Sequence, residues 1–360
     1  MITKILKNIY LKIFIIVLFS IIIDSLFILN IDYPPAWDQG YHLSNVFKMY
    51  NILESNNINI LEKINHLLNV TNSYRGPLSY FLSALFLKLS EKTYHYAYFS
   101  NQIFSLICIF SIFNLAKLLK NESTGIWASI IFTSSSLIIS QRSDYLIDLS
   151  LTAFCSLNLF FFSKWYLDSK KISIYPILSG ISFGFIFITK PTGIALFCFP
   201  LLMIIFKLIR ENSKFLTKTN QIILFIFPFI GITFPWFSIN WLTILSSTIN
   251  AWNWGVNYQD GLGIKSFDSW IYYFKKLPSI FGVINSSIFF IIFITEKIYQ
   301  RNLLKLRLKK INDINLYFLS FLLNCYLIVS LMSSKDVRFI MPLYPLICIY
   351  LALFIESNVY

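Results

Sequence analysis

The chain is short of charge. Of 360 residues only 13% are Asp, Glu, Lys or Arg, against roughly 25% in a soluble domain. An ordinary water-soluble globule is excluded, and so is a disordered chain, which needs low hydrophobicity and high net charge. Cysteine is also sparse: Cys108, Cys155, Cys198, Cys325 and Cys348 all sit in apolar runs, without CxxC spacing or histidine partners. They read as small core residues, not as a disulfide framework or a metal centre. There are three histidines, and no HExxH, GxSxG, glycine-rich phosphate loop or internal repeat. A soluble nucleotide-sugar enzyme is thereby disfavoured.

What the chain has is apolar length, with 56% hydrophobic residues. Ten apolar segments of roughly 20 residues predict membrane spans: residues 11–30, 97–117, 124–140, 149–166, 173–189, 191–208, 221–239, 279–295, 315–332 and 339–356. The expected fold is an all-α polytopic bundle of about ten transmembrane helices in one domain, residues 1–360, with no soluble C-terminal domain. The start is read as a true span because its apolar run is too long for a signal peptide and lacks a small-residue cleavage site. Its basic flank (Lys4, Lys7, Lys12) puts both termini in the cytoplasm by the positive-inside rule. Alternation from there assigns 18 of the 30 Lys and Arg to short inner loops. The run Lys305, Arg307, Lys309 and Lys310 reads as an anchor to anionic lipid rather than a nucleic-acid patch. Acidic residues lean the other way, with ten of 17 on the outer side.

Two outer segments are too long to be connectors. Residues 31–96 carry PPAWDQGYH and YRGPLSYFLSALFLKLS, whose apolar part is too short to span and is expected at the interface as helix. Residues 240–278 are rich in Trp and Tyr, as at Trp241, Trp252, Trp254 and Trp270, a composition suited to headgroup depth.

Polar residues at the outer rim are the candidates for chemistry. Asp38 follows Pro34 and Pro35 and opens a helix, where N-capping competes with function. Asp148, in QRSDYLID, stands where a loop meets a new span, and a carboxylate there is costly unless paired or hydrated. Arg75 precedes a Gly-Pro break, Lys190 is forced to the boundary by the near-absence of a loop in FITKPTGI, and Arg338 ends the last outer loop. Each could hold a phosphate or merely snorkel to headgroups. His42 reads as a polar loop residue, with no second ligand near it to make a metal site. Asp24, inside the first span, has no obvious partner. A carboxylate able to act as base, a second carboxylate and several cations on one face suit transfer from a lipid-linked phosphate donor, whose leaving group needs its charge neutralised.

At these residues the sequence resembles the GT-C glycosyltransferases, particularly the protein-mannosyltransferase and aminoarabinose-transferase-like group of glycosyltransferase family 39. WDQ corresponds to the family's acidic motif after the first span, with Asp38 in the acceptor-activating place and Gln39 where a second acid is usual. YRGPLSY corresponds to its Pro-Pro-Leu-like element, with Arg75 in the phosphate-contacting place and Gly76 where the first Pro is usual. Asp148 in LIDLSLTAF, the turn Ile188-Thr189-Lys190, and Pro235-Trp236 follow in the family's order. The resemblance implies a GT-C bundle and an inverting transfer of a sugar from a polyprenyl-phosphate donor to a lipid, glycan or protein acceptor on the outer face. Asp38 would be the base and Asp148 would order the site. Arg75, Lys190 and Arg338 would hold the phosphate, and Gln39, Tyr41, His42, Trp252 and Trp254 would touch substrate. No cofactor is required by this reading, although a divalent metal ion is possible. The family's bacterial members point to a bacterial inner membrane. A lipid-linked sugar flippase, or an inactive member that binds lipid-linked sugar, is the alternative.

Overall fold

In a computed structural model, residues 9–31, 34–71, 74–89, 93–170, 172–211, 215–258, 266–299 and 313–359 are described. Lys4, Lys7, the 305–310 basic run and Asp260 lie outside them. The protein is 86% helical, with no strand among the described residues. It is an all-α polytopic membrane protein.

All ten predicted segments are mainly helical, with breaks at Ser135 and at Gly282, whose φ of 79° interrupts the segment 279–295. α1 is Ile9–Leu29, and the first outer segment forms α2 (Trp37–Glu54), α3 (Ile60–Leu68) and α4 (Leu78–Leu87). A 3₁₀ turn, Tyr94–Phe99, leads into α5 (Ser100–Leu119). Then come α6 (Glu122–Ser134), α7 (Ser136–Ser143), α8 (Asp148–Leu167) and α9 (Tyr175–Thr189). The 3₁₀ turn Pro191–Phe197 opens α10 (Cys198–Arg210), and α11 runs Phe215–Tyr258. α12 (Phe267–Lys275), α13 (Leu277–Tyr299), α14 (Asp313–Leu331), a 3₁₀ turn at Val337–Leu343 and α15 (Tyr344–Val359) complete the order.

Six of these helical stretches are long and apolar enough to cross a membrane alone, or up to eight if each of two bent pairs counts as one span. The other two predicted spans differ for physical reasons. α9 has only 15 residues. α8 carries Ser150, Thr152, Ser156, Asn158 and Ser163, and 16 of its 20 residues are buried. It is a central helix that faces protein rather than lipid, so its hydroxyls bond internally, as from Ser163 to the Leu159 carbonyl.

Around α8 the core is aromatic. Phe162 meets Trp165, Phe183, Phe197 and Phe225 at ring-centroid distances of 5.6 to 6.0 Å. Lipid tails are as apolar as these rings, so close packing rather than water exclusion holds such helices together. Gly180 shows how: a Cβ there would lie 2.2 Å from the Phe225 carbonyl oxygen, so only glycine lets α9 lie directly against α11. Trp165 donates its indole N–H to Gln221, and Gln221 donates to the Ser169 carbonyl, which satisfies polar groups that hydrocarbon could not.

Charged residues divide between the two ends of the bundle. At one end Glu356 accepts from Lys120 (2.8 Å) and Asn121 (3.0 Å), and Lys207 lies over Tyr166. At the opposite end stand Asp38, Arg75, Asp148, Lys190 and Arg338.

Several expectations are corrected. The segment 240–278 is not a loop throughout, because α11 continues through Pro228 and Pro235 to Tyr258. Its 44 residues reach about 66 Å at 1.5 Å per residue, well beyond the roughly 30 Å hydrocarbon core. Asp24 has a partner: Arg142 Nε lies 3.2 Å from its Oδ2, and Ser20 also accepts from this guanidinium. The 61° bend between α6 and α7 turns Arg142 back toward α1, which sequence spacing does not reveal. Cys198 is exposed, while the other four cysteines are buried.

The first outer segment makes a core of its own, from Leu43, Val46, Met49, Tyr80, Ala84, Leu87 and Tyr98 with Ile28 and Tyr145. α2 and α4 thereby pack on the end of the bundle and carry Asp38 and Arg75 with them.

Candidate functional site

Each element brings one charged group to the same place. α2 starts after Ala36, whose N–H donates to the Gln39 side chain at 3.3 Å. Gln39 therefore supplies the cap and Asp38 does not. The Asp38 carboxylate is released from the backbone, and Arg338 Nη2 donates to its Oδ2 at 2.8 Å. Arg75 Nη2 lies 3.9 Å from its Oδ1.

Lys190 is placed by the proline after it. A residue before proline is pushed out of the helical region, and Lys190 adopts φ −156°, ψ 103°. α9 ends there, and the ammonium reaches Asp148 Oδ1 at 3.3 Å. Asp148, the first residue of α8, does not cap its helix either. Its other oxygen lies 4.0 Å from Arg338 Nη1. A hydroxyl pair, Ser79 with Ser150 at 2.6 Å, fastens α4 to α8 beside it.

Arg338 is aimed by its neighbour. Asp336 accepts from both the Arg338 backbone N–H (3.0 Å) and Nε (2.8 Å), so the guanidinium is fixed along one edge and offers its other nitrogens to Asp38 and Asp148. One cation thus joins carboxylates about 300 and 190 residues away in sequence. Sequence reading singled out Arg338 but not Asp336.

The turn bearing Arg75 is tied to the turn bearing Lys190. Gly76 N–H donates to the Thr189 carbonyl at 3.0 Å, and a Cβ on Gly76 would lie 1.9 Å from the Ile188 carbonyl oxygen. No other residue fits without moving one turn away from the other. Arg75 also lies over the rings of Tyr41 and Tyr74, 5.1 and 5.5 Å from their centroids, and Lys190 lies 5.3 Å from Phe339. These aromatic faces stabilise the cations without using up all their N–H donors.

The electrostatics follow from the pairing. Burial raises the Asp38 carboxyl, but the Arg338 hydrogen bond and the charges of Arg338 and Arg75 outweigh it and hold it below the ordinary carboxylate range. Asp38 is ionised at neutral pH. His42 is not the loop residue expected from sequence. It lies on α2, 2% exposed, with Nδ1 2.7 Å from the Tyr80 hydroxyl. Burial and the nearby Arg75 push its imidazole down to about 3, so it is neutral here.

Asp144 is, with Asp336, a residue that sequence reading missed at this site. Gln39 Nε2 donates to its Oδ1 at 3.0 Å. The signal was the amide itself: an acceptor-seeking side chain where an acid is usual implies an acid nearby to receive it.

Of the residues expected from sequence, Asp38, Gln39, Tyr41, His42, Arg75, Asp148, Lys190 and Arg338 are brought together. Trp252 is not: it is 47% exposed on the extension of α11, where its carbonyl accepts from Ser333 at 3.5 Å. The Trp254 side chain lies outside the described residues. No group of three His, Cys, Asp or Glu residues among the described ones is arranged to hold a metal ion. Asp38, Asp148 and Asp336 each face a cation.

Residues 74–238 match the family described as dolichyl-phosphate-mannose-protein mannosyltransferase. The fold is similar to that of ArnT from Cupriavidus metallidurans bound to undecaprenyl phosphate, with TM-score 0.67 and 13% identity over 94% of this chain and 60% of that one. The apo state of the same protein gives TM-score 0.63 and 14% identity, over 94% and 59%. The chain therefore spans about 60% of the length of the structure it resembles. A search of curated proteins finds no relative by sequence.

Proposed function

We propose that this chain is a glycosyltransferase of the ArnT-like, protein-mannosyltransferase type, whose charged cluster at one end of the bundle transfers a sugar from a polyprenyl-phosphate donor to an acceptor. The observation that carries this reading is the sharing of Arg338 between Asp38 and Asp148, with Arg75 and Lys190 on either side. Three cations converge at one end of the bundle, and the ArnT structure whose fold this chain resembles was solved with undecaprenyl phosphate.

The carboxylates share the cations' donors. A donor phosphate presents the same kind of anionic oxygens and competes for Arg75, Lys190 and Arg338. As Arg338 turns to the phosphate, Asp38 loses the bond that depresses it and becomes a better proton acceptor. The acceptor O–H then attacks the anomeric carbon and gives its proton to Asp38. The bond from that carbon to the phosphate oxygen breaks, and the polyprenyl phosphate leaves with the electron pair. A single displacement of this kind inverts the anomeric centre. Base and cations are worth roughly 10²- to 10⁴-fold and several kcal/mol respectively. Asp148, held between Lys190 and Arg338, orders the cations. The Tyr41 ring lies against Arg75 at the edge of the cluster, where it would meet substrate.

The apolar helices suit a donor whose isoprenoid tail stays in the bilayer. The Lys and Arg count favours the outer side for the cluster and the cytoplasm for both termini, and the bacterial members of the family it resembles favour a bacterial inner membrane. In membranes supplied with donor lipid, Asp38→Asn is expected to abolish transfer while the protein still accumulates. Full activity in that variant would remove Asp38 as the base. Sugar crossing sealed vesicles with no change in the acceptor would indicate a transporter instead.

A further inference from the structure

The cluster has two chemically different halves. Asp38, Asp148 and Asp336 each face a cation within 4.0 Å. Asp144 faces an amide, and no Lys or Arg among the described residues forms an ion pair with it. Arg338 acts on it only through space. Burial lifts its carboxyl above the ordinary range, more than Gln39 and Arg338 lower it.

This placement is fixed from two sides. Gln39 Oε1 accepts from the Ala36 N–H at 3.3 Å, which orients the amide so that Nε2 points at Asp144. Behind Asp144, the Asn101 side-chain amide, 1% exposed, faces the carbonyls of Gln141 (3.3 Å), Arg142 (3.2 Å) and Asp144 (2.9 Å). The loop is locked and one carboxylate oxygen, Oδ1, is occupied. Oδ2 remains to accept a hydrogen bond. A carboxylate that feels Arg338 through space but pairs with no cation among the described residues suits a neutral group rich in O–H donors that is covalently attached to a phosphate.

We propose that Gln39 and Asp144 form a hydroxyl-binding subsite that holds a sugar ring next to the phosphate pocket of Arg75, Lys190 and Arg338. The inference rests on the transfer reading above and deepens it. Gln39 and Asp144 determine sugar recognition, and Asp38 remains the base. The hydroxyls belong to the donor's sugar or to a sugar acceptor, and the two sources separate by experiment.

Asp144→Asn tests this, because asparagine keeps an oxygen for Gln39 and removes only the charge. The full chain, wild type and variant, is purified in detergent from a bacterial membrane. Co-purifying lipids are identified by mass, and the ratio of sugar-bearing to bare polyprenyl phosphate is measured. Wild type is expected to retain both forms, and Asp144→Asn to lower the sugar-bearing fraction by about tenfold to a hundredfold, the loss of one charge-assisted hydrogen bond. If that ratio is unchanged but the KM for the acceptor rises by the same factor, the hydroxyls are the acceptor's and the subsite stands. If ratio and KM are both unchanged, the subsite is refuted and the phosphate pocket is untouched. Retention of neither lipid by wild type would refute the donor reading on which the inference rests. Gln39→Glu is a second arm. Two facing carboxylates cannot both ionise cheaply, so it is expected to impair sugar retention, and adding Asp144→Asn to it restores an acid–amide pair and thermal stability.

Discussion

Gly76→Ala makes a sharp test of how the two cation-bearing turns are joined. The added Cβ would lie 1.9 Å from the Ile188 carbonyl oxygen, 2.4 Å from its carbon and 3.0 Å from Cα. These are backbone atoms that cannot rotate away. Ordinary contact needs close to 3.4 Å, so the turns must part by about 1.5 Å, and the Gly76 N–H bond to Thr189 at 3.0 Å is lost. That bond is worth about 1 kcal/mol, small against a total stability of roughly 5–15 kcal/mol, so the protein is expected to fold and accumulate. Arg75 moves away from Lys190, however, and a displacement of about 1 Å in positioned groups costs roughly 10²-fold in rate. Transfer in membrane vesicles, normalised to protein by immunoblot, is expected to fall about a hundredfold. A wild-type rate at wild-type abundance would refute the claim that this contact sets the spacing of the phosphate-binding cations.

Other outcomes follow from the charges. His42 is already neutral, its imidazole having been pushed down to about 3, so a transfer-rate profile between pH 5 and 8 should show no step near the ordinary histidine value. Asp144 is raised by burial. Its contribution to stability is present below its unfolded pKa and lost as pH rises through the folded value, so Asp144→Asn should raise the melting temperature at pH 7 while weakening sugar retention. Asp38 is depressed, so its stabilising contribution is present above its unfolded pKa and lost as pH falls through the folded value. Asp38→Asn should therefore lower the melting temperature at pH 7. Asp24 and Arg142 are 6% and 4% exposed, and removing one partner of such a pair costs about 3–5 kcal/mol. Arg142→Met should reduce accumulation sharply, and Asp24→Leu in the same chain should restore much of it.

The helices were legible because a bilayer demands long apolar runs, and sequence shows these directly. Where the helices end was less so. The seventh span was expected to end at residue 239, yet α11 absorbs Pro228 and Pro235 and continues to Tyr258, since membrane helices re-satisfy freed carbonyls through neighbours. The site was half legible. Asp38, Arg75, Asp148, Lys190 and Arg338 stood out as charges at the rim, and the structure shows why capping does not explain the acids: Gln39 caps α2 in place of Asp38. Their pairing is set by tertiary packing, with Asp38 and Arg338 separated by 300 residues, and no local pattern encodes it. Asp336 and Asp144 were hidden for the same reason, as each acts on a partner rather than by its position in a motif. Arg142 was hidden by the bend before it.

The account turns on the cations holding a lipid-linked phosphate. Binding of undecaprenyl phosphate to the purified chain, titrated for wild type and for Arg75→Gln with Lys190→Gln, measures this directly. Saturable binding by wild type that weakens about a hundredfold or more in the double variant is the expected result. Equal binding by the two proteins would contradict it.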